Sequence, residues 1–91
     1  MNHFPVVNNN GDSWETLNKD RREALNALDN ARAALARMAP HGRNYQTAEP
    51  GAYTAAREAH FDLRALLLDV YNAVKAESVA VYEQRPDRLG G

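Results

Sequence analysis

The segment Ala39-Pro40-His41-Gly42-Arg43-Asn44-Tyr45 constrains this chain most, because it breaks the sequence into two long helical patterns. Proline has no amide proton to continue a helix, and glycine admits the left-handed conformation common just beyond a helix end. A helix must therefore stop here and the backbone must turn. Gly42 permits that conformation here.

On the N-terminal side, Trp14, Leu17, Ala24, Leu28, Ala31, Leu35 and Met38 recur at helical steps, and Leu25 widens the stripe. Asp12 reads as the N-cap, with Glu15 three residues on completing a capping box; Ser13 is the alternative cap. At 1.5 Å per residue such a helix spans about 40 Å. Beyond the turn, Glu49-Pro50-Gly51 opens a second helix whose stripe takes in Tyr53, Ala56, His60, Leu63, Leu67, Val70, Val74 and Val81, until Arg85-Pro86 ends it. Phe4-Pro5-Val6-Val7 is too short for a sheet of its own. It reads as an arm packing across a helix, followed by a turn signal at Asn8-Asn9-Asn10-Gly11.

The expected fold is all-α: an antiparallel helical hairpin with a short N-terminal arm, forming a helical-bundle homo-oligomer. One domain is expected, divided into an arm (1–11), a first helix (12–39), a turn (40–50), a second helix (51–85) and a flexible tail (86–91). The oligomer follows from size. Ninety-one residues in a hairpin bury one stripe per helix, rarely enough without a metal, disulfides or association. Leu63, Leu66, Leu67, Leu68, Val70 and Tyr71 also point several ways around the second helix, as in helices buried on more than one side. The plain alternative is that a third short helix or the arm covers the extra face within one chain.

With no cysteine, the chain has neither a disulfide framework nor a cysteine zinc site. Residues 1–5 lack the basic and apolar regions of a signal peptide, and no apolar run approaches the ~20 residues of a membrane span. A soluble cytoplasmic protein is expected, with no membrane partner. A net charge of −1, with both signs interspersed, argues against extended nucleic acid but not against a small nucleotide held by two or three arginines.

The turn is the first candidate site. Arg43 can grip phosphate oxygens in a bidentate manner, Tyr45 can stack on a base, and His41 and Asn44 stand beside them. The plain alternative is that Arg43 pairs with a carboxylate and Tyr45 covers the hairpin end. Arg21 is the second candidate, since it interrupts the apolar stripe and an unpaired internal charge is costly. It would hold an anion, or pair with Asp62 or Asp69. Trp14 would stack on a base or anchor the arm or an interface. His3, His41 and His60 lack metal-ligand spacing, so no metal or cofactor is expected; His60 reads as a hydrogen-bonded core or interface residue. No nucleophile elbow, P-loop or dinucleotide fingerprint is present, and a non-enzymatic role is expected.

Gly11-Asp12-Ser13, the Ala/Leu-rich helix, and Ala39 through Tyr45 resemble small, mostly uncharacterised proteins of tailed bacteriophages and prophages, over roughly residues 8–75. More distantly, Pro40, Gly42 and Arg43 resemble the Pro-x-Gly-Arg turn of phage anti-CBASS nucleotide sponges and of a hairpin in anti-Thoeris sponges. Those proteins oligomerise and trap signalling nucleotides between protomers. Here the loop is longer, and Thr54-Ala55-Ala56-Arg57-Glu58-Ala59 replaces the start of their second helix. The resemblance implies an anti-defence protein, in the infected bacterial host, that sequesters a nucleotide signal. The alternatives are an anti-CRISPR-like inhibitor of a host defence protein and a phage structural or assembly component.

Overall fold

The computed structural model describes residues 4–6 and 13–86. Helix α1 (Trp14–Arg37) and helix α2 (Ala52–Tyr82) pack against each other, joined by a connection holding one turn of 3-10 helix (Gly42–Tyr45). The pair is antiparallel, because Trp14 meets Val81 at one pole while Gly42 lies beside Tyr53 at the other. The all-α hairpin expected from the sequence is present.

Local chemistry sets the helix ends. Ser13, not Asp12, caps α1: its backbone is extended and its Oγ accepts from the Thr16 amide at 3.2 Å. Thr16 thereby takes the third helical position that Glu15 was expected to fill. Glu15 instead sits in the first turn, where its charge complements the positive helix pole. Asp12 itself lies outside the described residues, as do Val7, the Asn8–Gly11 segment and the 87–91 tail. Helix α1 ends before Pro40, with the Met38 and Ala39 amides bonding back to Leu35 and Ala36.

Gly42 does not adopt the left-handed conformation. Among the described residues the positive φ belongs to Gly51, at 86°, just before α2. The chain folds back through successive short bonds (Asn44 to His41, Ala48 to Tyr45, Ala52 to Glu49), so the helix end itself needs no left-handed residue.

The seam is thin. Leu17 and Val81 are the buried apolar side chains among the described residues, and His60 is the buried polar one. Trp14, Leu25, Leu28 and Leu35 of α1 and Tyr53, Leu67, Tyr71 and Val74 of α2 are half-buried. Four expected stripe members, Ala31, Met38, Leu63 and Val70, are exposed. In α2 the inward line runs through His60, Leu67, Tyr71, Val74, Ser78 and Val81, rotated away from Leu63 and Val70. Phe4 and Pro5 are half-buried near the end of α2, where Gln84 Nε2 donates to the Pro5 carbonyl at 3.1 Å. The arm thus packs as expected over these residues, although Val6 is exposed.

The molecule is a rod of 64 × 25 × 20 Å. Its radius of gyration is 19.5 Å, where a compact chain of this length has about 12 Å. No helix among the described residues is long and apolar enough to cross a membrane.

Candidate functional site

The six residues that stand out in the sequence fall at two opposite poles of the rod. Arg43, Tyr45, His41 and Asn44 sit at the turn. Trp14 and Arg21 belong to the open pole, where α1 begins and α2 ends. The structure does not bring them into one site.

At the open pole both candidates are already committed. The Trp14 indole Nε1 donates to the Val81 carbonyl at 2.8 Å, and its ring lies 6.1 Å from that of Tyr82 in a tilted arrangement. Trp14 is therefore an anchor between the helices. The Arg21 Nη2 pairs with Glu77 Oε1 at 2.9 Å, and its Nη1 donates to the Leu17 carbonyl at 3.3 Å. The partner is neither Asp62 nor Asp69, both of which are exposed. Trp14 beside Val81 and Arg21 beside Glu77 set the register, and that register places Glu77 opposite Arg21. The Arg21 Nε is buried with no hydrogen-bond partner, so this guanidinium is imperfectly satisfied. His60 is buried as expected, yet its Nε2 also finds no partner among the described residues. The hydrogen bond expected of it is not made at Nε2 within the described residues.

At the turn, Arg43, His41 and Asn44 are exposed. Arg43 makes no ion pair or side-chain hydrogen bond among the described residues, so the carboxylate pairing weighed for it is absent there. Tyr45 is half-buried, with its ring 5.7 Å from that of Tyr53 at an interplanar angle of 40°. It does cover the hairpin end. Behind it the Arg57 guanidinium carbon lies 5.6 Å from the Tyr53 ring, within cation–π range. The turn thus carries two exposed arginines and two half-buried tyrosines in tilted ring contact. Sequence patterning assigned Tyr53 to the core stripe and passed over Arg57. Their spacing of four residues, which places them on one helix face, is the signal that would have found them.

A groove of about 610 Å³ between the helices adds a further feature, lined by Asp29, Arg32, Phe61, Arg64 and Leu68 among others. Its walls are mixed. Arg32 reaches Asp29 at 3.5 Å and stands 5.1 Å from the Tyr71 ring, while Phe61 is 71% exposed. Among the described residues no three His, Asp or Glu side chains gather as a metal site. No protein-family model, curated protein or solved structure matches the chain.

Proposed function

We propose that this protein acts by binding, not catalysis, as an oligomer of helical hairpins whose turn takes up a phosphate-bearing small molecule such as a nucleotide. The observation that carries the reading is the exposed, uncommitted Arg43 guanidinium, two residues before Tyr45, whose ring meets that of Tyr53 under Arg57. An exposed arginine without an internal partner retains its full capacity for a bidentate phosphate contact. Adjacent aromatic edges and faces suit a base. Arg21 and Trp14 leave this reading, because the Arg21 charge is paired with Glu77 and the Trp14 indole N–H is bonded to the Val81 carbonyl. The phage anti-defence role implied by the Pro40-Gly42-Arg43 turn fits a small binder of this kind.

The test is titration calorimetry of the wild type and Arg43→Ala against a panel of cyclic oligonucleotides and mononucleotides. Losing a charge-assisted contact worth about 1.5–3 kcal/mol should weaken binding roughly ten- to hundredfold. Helix content should not change. Equal affinity in the two proteins, or no binding by the wild type, removes the turn as a nucleotide site.

The second reading is a protein–protein inhibitor, favoured by the exposed Phe61 on the rim of the mixed groove. An exposed aromatic beside arginines is the usual composition of an interface anchor. Phe61→Arg would abolish capture of a host protein on that reading and leave nucleotide binding untouched.

A further inference from the structure

The groove marks one side of the hairpin, with Asp29 and Arg32 on α1 and Phe61 and Leu68 on α2. Each residue of an α-helix turns the chain by about 100°. Ala27, Ala31 and Ala34 of α1, and Leu63, Leu66 and Val70 of α2, therefore fall on the opposite side. These six side chains are apolar, and all but the half-buried Ala34 are exposed: Leu63 is 49%, Leu66 63% and Val70 48% accessible. The alanines form a shallow trough along α1, and the larger side chains form a ridge along α2.

The register makes the two match. With Trp14 level with Val81, and Arg21 with Glu77, equal steps along both helices bring Ala27 level with Val70, Ala31 with Leu66, and Ala34 with Leu63. A two-fold axis parallel to the rod preserves these heights and exchanges the helices. It lays the ridge of one copy in the trough of the other, twice. Large side chains facing small ones is the arrangement that lets helices approach closely and fill the space between them.

We infer that this face is the contact between two copies of the chain, related by a two-fold axis parallel to the hairpin, with α2 of each copy on α1 of the other. The shape allows it, since a face running along a 64 Å rod is long enough for the roughly 800 Å² per partner that a stable dimer covers. A closed two-fold dimer is also the commonest form of self-association. This axis sets the two turns at the same pole, so two copies of Arg43 share one end of the assembly.

The inference rests on the oligomer in the proposed function and not on its ligand. A dimer that ignores every nucleotide keeps the interface and removes the ligand; a nucleotide-binding monomer does the reverse. Sedimentation gives the first test. The wild type should run at twice its 10.1 kDa chain mass or a higher even multiple. Leu66→Arg should fall to half that mass or less, whereas Phe61→Arg, on the groove side, should not change it. The second test remains decisive even if Leu66→Arg fails to fold. Because the chain has no cysteine, an Ala31→Cys copy mixed with a Leu66→Cys copy should form an intermolecular disulfide, and Leu66→Cys alone should not. A monomeric wild type overturns the proposal, as does an unchanged mass for folded Leu66→Arg. Cross-linking of Leu66→Cys to itself in preference to Ala31→Cys overturns the axis, because it sets α2 on α2.

Discussion

Replacing Glu77 should destabilise the hairpin more than replacing Arg21, although the two form a single ion pair. The pair spans 2.9 Å between side chains that are 20% and 29% exposed. At an effective dielectric of about 20, charges at that separation attract by roughly 6 kcal/mol gross. Desolvation and side-chain ordering oppose most of this. The net coupling should lie between the 0–1 kcal/mol of exposed pairs and the 3–5 kcal/mol lost on breaking buried ones, at about 1–2 kcal/mol. Glu77→Leu leaves Arg21 half-buried with the Leu17 carbonyl as its remaining partner and an Nε still unbonded, which should cost about 2 kcal/mol. Arg21→Met removes the charge and the orphaned Nε together, and should cost about 1 kcal/mol or less. The double variant, apolar on both sides, should recover most of the loss. Thermal and urea unfolding followed by far-UV circular dichroism would measure all four proteins. Protein concentration must be held fixed, since association makes Tm depend on it. In a chain of this size, 1 kcal/mol moves Tm by roughly 4–8 °C. A Glu77→Leu protein within about 0.3 kcal/mol of wild type, or a double variant as unstable as both single losses added, would refute the reasoning. Either result would also return Arg21 to the pool of residues free to hold an anion.

Two further outcomes follow from the same contacts. Trp14→Phe keeps most of the ring but removes the 2.8 Å bond to the Val81 carbonyl; it should cost about 1 kcal/mol in urea unfolding, and an unchanged midpoint would show that the bond contributes nothing net. Gly51→Ala forces an L-residue to a φ of 86° and should destabilise by about 1 kcal/mol, whereas Gly42→Ala meets Tyr53 at an ordinary 3.8 Å and should be nearly silent; equal losses would contradict the assignment of the left-handed residue.

The hairpin was legible because Pro40 and the two long periodic patterns admit few alternatives. Which face of α2 turns inward was not. That helix carries two overlapping apolar stripes, one through Leu67 and Val74 and one through Leu63, Leu66 and Val70, and periodicity weights them alike. The choice is made by residues that apolar patterning ignores. Glu77 pairs with Arg21, and Val81 offers its carbonyl to Trp14, across separations of 56 and 67 residues. Polar partners at that distance pull Tyr71 and Ser78 inward and leave leucines outside. That Gly51 and not Gly42 is left-handed was hidden for a related reason. A Pro-x-Gly sequence satisfies the rule for a helix end, but the stop is already made by the amides of Met38 and Ala39. Arg43 was recognisable as a candidate; its neighbours Tyr53 and Arg57 come from the next helix, and the fold had to bring them alongside.

The separation of the poles gives the molecule an optical reporter for one of them. Its one tryptophan, Trp14, is fixed at the open pole against Val81 and Tyr82, while Tyr45 and Tyr53 meet at the turn, nearly the length of α1 away. Indole emission therefore reads how the helix ends are clasped and is blind to events at the turn. A molecule that docks at the turn leaves the indole spectrum still. One that shifts the indole has loosened the clasp.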